Sequence, residues 1–506
     1  MIDTQINTTL GRVRGYLADG ARVWQGVPYA TPPLGELRWQ PPQPHSPWKG
    51  LREAHRYGPP AVQHLSPMGA QIAGGFGVGD EDCLTLNIFS PEHATTKRPV
   101  MVWIHGGGFS VGASSQAWYD GTRLARENNT VIVSINYRLG ALGFLRLTDV
   151  TGGQIPATGN EGLMDQIAAL QWIRDNIAQF GGDRENITLF GESAGGMAIA
   201  SLLTIPAAAG LFDKAVIQSG SAHGVHSLET ANRVADQFLK LLPEDARNNP
   251  YEADPTSLAE ATATINGRMM LDERLSIMPM RPVVDGAFQP DVPAVAMRNG
   301  NASKIPVVIG YNKDEWRYFA QVDRAMKRLD HAALHERLTY HFTDAEIDRL
   351  LTAYDYRKGQ AGETFRVYSA FHGDAAFCIS SERAVNALAA HQPVYKYRFD
   401  VPAPGLGGLM GACHVTEIPY VFGTLDAIGM NVLFQTGDLA ESVSKDVRQW
   451  WTQFAATGQP DRARWSSYAD HPGKWAIHEQ SAYLPAKETL RDHFWSSISD
   501  DKLTTI

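Results

Sequence analysis

The sequence predicts an α/β fold, a central, mostly parallel sheet with helices on both faces, and two observations carry that reading. Apolar runs of strand length recur at residues 100–104, 131–135, 187–190, 214–218, 305–309 and 394–399. Between them lie helical patterns. From Leu163, apolar residues return at Ile167, Leu170, Ile173 and Ile177, one face of a helix, until Gly181 and Gly182 stop it. Strands that alternate with helices in this way build a mainly parallel sheet covered on both sides.

Taken in order, the chain begins with two strand-like runs around Asp19-Gly20, a tight-hairpin signal that makes the N-terminal strands antiparallel. The stretch 28–47 is too rich in proline for helix or central strand and reads as an ordered surface wrap. Residues 63–80 carry Gly69, Gly74, Gly75, Gly77 and Gly79 and read as a loop of low local stability, able to line or cover a site. Leu84, Leu86 and Ile88 then alternate as a strand. Residues 231–280 are largely helical in pattern. Residues from about 319 to 390 are helical again and interrupt the strands, so they are expected to form a helical cap on the same domain. A last strand at 394–399, a final helix around 439–457 and a short tail complete the expectation. With no internal repeat and no low-complexity linker, residues 1–506 read as a single catalytic domain.

Composition removes several classes of function. Lys and Arg total 45 against 54 Asp and Glu, a net charge of −9 without a basic block, which argues against a nucleic-acid partner. Cys83, Cys378 and Cys413 are too few and too scattered for a disulfide framework, a zinc site or a redox pair. No uncharged apolar run reaches membrane-spanning length, and the first residues lack the regions of a secretory signal. A protein without membrane partners is expected, cytoplasmic, or secreted if a signal has been removed.

Residues 187–197 read Ile-Thr-Leu-Phe-Gly-Glu-Ser-Ala-Gly-Gly-Met, that is strand, sharp turn, helix. A serine at such an apex sits in a strained conformation with no room for side chains two residues away on either side, hence Gly191 and Gly195. The turn lifts the Ser193 hydroxyl to a helix N-terminus, where unpaired N–H groups favour developing negative charge. Ser193 therefore reads as a nucleophile. The predicted strand 100–104 runs into His105-Gly106-Gly107-Gly108-Phe109. Three glycines leave backbone N–H groups bare, as an oxyanion hole requires, and the His105 ring is expected to support that backbone.

A serine hydroxyl needs a base in reach, and the base needs an acid that fixes its tautomer. In the α/β-hydrolase arrangement these follow in the order Ser, Asp or Glu, His, each after a strand. Of sixteen histidines, His414 is the one on the glycine-rich loop directly after the last predicted strand. After strand 305–309 stand both Asp314 and Glu315, and pattern alone does not separate them.

To these motifs are added Trp24-Gln25-Gly26-Val27-Pro28-Tyr29-Ala30, Glu81-Asp82-Cys83-Leu84-Thr85-Leu86-Asn87, Asn136-Tyr137-Arg138 and Phe180-Gly181-Gly182-Asp183. With them the chain resembles the type-B carboxylesterase and cholinesterase family, its bacterial carboxylesterases included, over nearly its whole length. The resemblance implies an α/β-hydrolase with Ser193 as nucleophile, Glu315 rather than Asp314 as acid and His414 as base. It implies Gly107, Gly108 and Ala194 as oxyanion donors and Ser219 as a support for the acid. Two departures stand out. Family members with a disulfide pair the cysteine matching Cys83 with one upstream, but none precedes Cys83 here, and Val62 stands in the usual place. Nor does any tryptophan lie between Val62 and Cys83 to meet a choline cation.

The expected activity is hydrolysis of neutral short- to medium-chain and aromatic carboxylic esters through an acyl-serine intermediate, without metal or organic cofactor. Phe109 and Trp316 are the expected pocket residues, because they adjoin the glycine loop and the acid. The alternatives are an amidase or carbamate hydrolase using the same triad, and a non-catalytic binding module.

Overall fold

The computed structural model describes residues 4–64, 79–93, 97–271, 278–322, 329–427 and 435–505. The chain enters through the antiparallel pair β1 (Gln5–Asn7) and β2 (Arg12–Arg14) and then the hairpin β3 (Tyr16–Ala18) and β4 (Ala21–Pro28). Asp19 and Gly20 both take left-handed backbone, φ 46° and 76°, as the expected tight turn requires. The proline-rich wrap follows, anchored by Arg38, whose buried guanidinium donates to Glu81 and to the carbonyls of Tyr251 and Ala253. Then β5 (Leu51–Glu53) pairs with β2 to complete a three-stranded sheet.

The main sheet takes up β6 (Thr85–Pro91), β7 (Arg98–Ile104), β8 (Val131–Ile135), β9 (Gly182–Glu192) and β10 (Lys214–Gln218). It continues with β11 (Val307–Asn312), β12 (Val394–Phe399), β13 (Gly473–Ile477) and β14 (Ala482–Pro485). Eleven strands lie in the order β14-β13-β12-β11-β10-β9-β7-β8-β6-β4-β3, parallel from β8 to β13 and antiparallel at both margins. The strand at 394–399 is therefore not the last. The tail expected after the final helix carries β13 and β14 and two further short helices, Leu490–Ser496 and Asp500–Thr505.

The strands are apolar throughout because successive residues enter two separate cores. Val100, Val102, Ile104, Ile187, Leu189, Ala215 and Ile217 join one core. Met101, Trp103, Phe190 and Val216 join the other. Each such side chain is fully buried, and each valine, leucine, isoleucine, methionine or phenylalanine among them contributes roughly 1.5–3 kcal/mol. Helix α1 (Glu161–Asn176) covers the first core with Leu163, Leu170 and Ile173 and runs into a 3-10 turn, Ile177–Phe180, that Gly181 ends with φ 92°. Next come α2 (Ala194–Leu202), then α3 (Glu363–Gly373) and α4 (Ile379–Ala389), which are joined by a π-helical turn, Asp374–Cys378. On the opposite face α5 (Asp438–Thr457) buries Val447, Trp450, Trp451 and Phe454. Among the described residues of 231–280 lie the helices Leu228–Leu239, Glu244–Asn248 and Pro255–Leu271 and a 3-10 turn at Pro250–Glu252, and the described parts of the segment expected to be a cap carry helices from Arg317 onward. Of the glycine-rich loop at 63–80, residues 65–78 lie outside the described residues.

Candidate active site

Ser193 occupies the apex between β9 and α2 with φ 57° and ψ −124°, a strained conformation for a residue with a side chain. The surrounding backbone holds it there: Ser193 N–H donates to Gln218 O at 2.9 Å. The flanking glycines are required by space. A Cβ on Gly195 would stand 1.9 Å from Ile104 O, and one on Gly191 2.7 Å from the same atom. The turn thus packs directly on the C-terminal end of β7, where the glycine loop begins.

That loop crosses the serine closely, since a Cβ on Gly106 would lie 3.0 Å from Ser193 Cβ. Gly107 has φ 114°, and a side chain there would collide with Val111 O. The N–H groups of Gly107 and Gly108 donate to no group among the described residues. At the first turn of α2, the N–H of Ala194 has no partner within its helix. His105 stacks on Tyr137, centroids 4.5 Å apart, and Tyr137 Oη donates to His105 O at 2.6 Å. Burial pulls His105 down to about 4, so its ring is neutral and braces the loop.

At the C-terminal ends of β11 and β12 the structure separates the two candidate acids. Glu315 Oε2 meets His414 Nδ1 at 2.7 Å. Its other oxygen accepts from Ser219 Oγ at 2.6 Å and Asn312 N at 2.7 Å. Asp314 points elsewhere, pairing with Arg317 at 2.9 Å and accepting from Ala412 N at 3.1 Å. It clamps the loop that delivers His414. Ser219 itself has φ 48°, held by its N–H on Gly310 O, which turns its hydroxyl onto the acid.

Two further carboxyls complete a buried cluster that the sequence reading passed over. Glu192 Oε1 lies 3.1 Å from His414 Nε2, an ion-pair contact without hydrogen-bond geometry. Glu417 accepts from Asn312 Nδ2 at 2.6 Å. Their signals were available: Glu192 is inside the nucleophile motif, and Glu417 is three residues beyond His414. Burial opposes the imidazolium, but Glu192 and then Glu315 outweigh it and raise His414 to about 9. Burial, with Glu315 beside it, raises Glu417 to about 7, and burial raises Glu192 well above the carboxylate range. Nε2 of His414 lies beside the carboxylate of Glu192, the residue before the serine, and the Ser193 hydroxyl makes no hydrogen bond to His414. Such contacts are often long in enzymes without substrate.

Of the two expected pocket residues, Phe109 is fully buried in the core against Phe144, with φ 56°. Trp316 is nearly buried, stacks on His372 and meets Phe319 at a tilt. The aromatic rings in contact with His414 are Phe377, at 4.5 Å and 30°, and Phe319, at 5.2 Å. Trp316 thus stands one layer behind them. Phe377 sits on the π-helical turn, an irregularity that recurs where helices serve sites. No group of His, Cys, Asp and Glu suited to a metal ion occurs among the described residues, and none of the described helices is long and apolar enough to cross a membrane.

Comparison with known proteins shows the family of the chain. The family model described as the carboxylesterase family matches residues 2–495. The chain is 34% identical to para-nitrobenzyl esterase of Bacillus subtilis over 92% of each chain. It is also 34% identical to phenmedipham hydrolase of Pseudarthrobacter oxydans, over 96% of this chain and 97% of that one. Among solved structures, a carboxylesterase of Geobacillus stearothermophilus superposes with a TM-score of 0.84 at 35% identity, covering 95% of this chain and 98% of the other.

Proposed function

Because the chain belongs to the carboxylesterase family, and is thereby a serine ester hydrolase, we propose that Ser193, His414 and Glu315 carry the reaction. One observation supports this above all: Glu315 fixes Nδ1 of His414 at 2.7 Å, leaving Nε2 free of that bond and beside the carboxylate of Glu192, the residue before Ser193. With Nδ1 engaged as donor, Nε2 is the ring's acceptor. Ser193 Oγ attacks the ester carbonyl carbon as its proton passes to Nε2, and the carbonyl π pair becomes the oxyanion. The N–H groups of Gly107, Gly108 and Ala194 receive that charge. One such preorganised donor is worth about 3 kcal/mol of barrier. Collapse breaks the ester bond, the alkoxide leaves with the proton from His414, and water repeats the sequence to release the acid and restore Ser193.

The substrates we propose are neutral esters of short to medium acyl chains and aromatic esters. Phe319 and Phe377, with Trp316 behind them, give the His414 side an aromatic, apolar lining in which a charged substrate group would lose its hydration. The chain from Val62 to Cys83 has no tryptophan, which counts against choline esters. Phe109 contributes from within the core. The test is kcat/KM over p-nitrophenyl esters from acetate to hexadecanoate, with a choline ester and its uncharged analogue. A maximum at short to medium chains and a weak choline ester support the proposal. A choline ester cleaved as fast as its analogue, or a maximum at hexadecanoate, overturns it.

A further inference from the structure

Gln63 is 1% exposed and stands outside every group assigned above. Its side-chain amide holds one residue of the glycine loop from both sides. Gly112 N–H donates to Gln63 Oε1 at 2.8 Å, and Gln63 Nε2 donates to Gly112 O at 2.9 Å. Nε2 also reaches Ala61 O at 2.9 Å, so the amide is itself fixed. Gly112 has φ 118° and closes back on the start of the loop: a Cβ there would fall 2.5 Å from Gly106 O and 2.6 Å from His105 Nδ1. Between these two ends the turn carries Gly107 and Gly108, with Ser110 N and Val111 N bonded to Gly107 O.

The other restraints grip elsewhere. Tyr137 holds His105 at the entry, and Gly140 N holds Phe109 O. Asn136 holds Ser114 beyond the exit. Gln63 alone among the described side chains bonds both polar groups of Gly112. We propose that Gln63 is a positioning residue for the oxyanion hole: its paired hydrogen bonds fix the exit of the 105–112 turn and so the direction of the Gly107 and Gly108 N–H groups. The inference rests on the hydrolase reading above. It follows from the steepness of oxyanion stabilisation, in which losing a donor, or displacing one by about 1 Å, costs on the order of a hundredfold in rate.

Gln63→Met keeps the length of the side chain and removes both bonds, and Gln63→Glu keeps the acceptor alone. Each is compared with wild type on p-nitrophenyl butyrate and in binding a trifluoromethyl ketone, whose tetrahedral serine adduct carries an oxyanion. Gln63→Met is expected to lower kcat ten- to a hundredfold with KM changed less than threefold, and to weaken the ketone by the same factor as kcat/KM. Gln63→Glu should lie between it and wild type, and serves alone if Gln63→Met fails to fold. A variant with a lowered Tm, whose kcat and ketone affinity stay within twofold of wild type, overturns the proposal and leaves Gln63 a brace of the fold. A wild type that neither cleaves esters nor binds the ketone would instead sink the hydrolase reading, and this inference with it.

Discussion

His414 stands between two carboxyls, Glu315 at Nδ1 and Glu192 near Nε2, and this sets how activity should follow pH. A base acts when neutral, and His414 is raised to about 9, so kcat/KM should climb with pH well above the ordinary histidine value of 6.5. Glu192→Gln removes the largest upward influence and should move the inflection down. An inflection that stays in place would show that Glu192 does not govern the base. Stability runs the other way. A folded value above the unfolded one gives a contribution complete below 6.5 and lost as pH rises through about 9. A second residue-scale prediction concerns the unit. Ser193→Ala and His414→Ala should each cost several orders of magnitude in turnover, and the double variant scarcely more, whereas additive losses would contradict a shared step. At this scale the sequence was informative wherever chemistry dictates local spelling. Gly191 and Gly195 are legible because no Cβ fits there. Phe377 was not, because its approach to His414 depends on a π-helical turn that no period reveals.

At the scale of elements, the sites converge because β7, β9, β10, β11 and β12 are parallel neighbours or nearly so, and each ends at the same margin. The five strands were legible from their apolar runs. β13 and β14 were not, since five and four residues, one strand half exposed and ending in proline, give no period to read. Pattern alone did not divide Asp314 from Glu315, and only the family resemblance pointed to Glu315, because the division depends on which way two adjacent carboxylates point across a loop contact. That contact yields a third prediction. Asp314→Ala frees the clamp on Ala412 and should lower turnover about tenfold through a loosened His414, while Asp314→Asn, which keeps an acceptor, should be mild. Glu315→Gln should exceed both by far. A ranking with Asp314→Asn worst would return the acid's role to Asp314.

For the whole molecule, a sheet with a core on each face fixes five loop ends, and buried polar pairs lock the connections around it. Arg138 and Asp165 are the clearest case, 2.7 Å apart with side chains 3% and 0% exposed. Removing one partner leaves a buried charge unmet, so Arg138→Leu should lower unfolding free energy by about 3–5 kcal/mol in urea. A loss under about 1 kcal/mol would mean that Asp165 finds another partner. The fold class was readable in full from alternation and apolar runs, whereas these long-range pairs exist only once the chain has closed. The account centres on one hydroxyl, and its most direct measurement is intact-mass and peptide analysis after a fluorophosphonate at neutral pH. The prediction is one adduct per chain, on Ser193, formed in step with loss of ester hydrolysis, and absent in Ser193→Ala. An adduct on another residue, or hydrolysis that persists in Ser193→Ala, would contradict it.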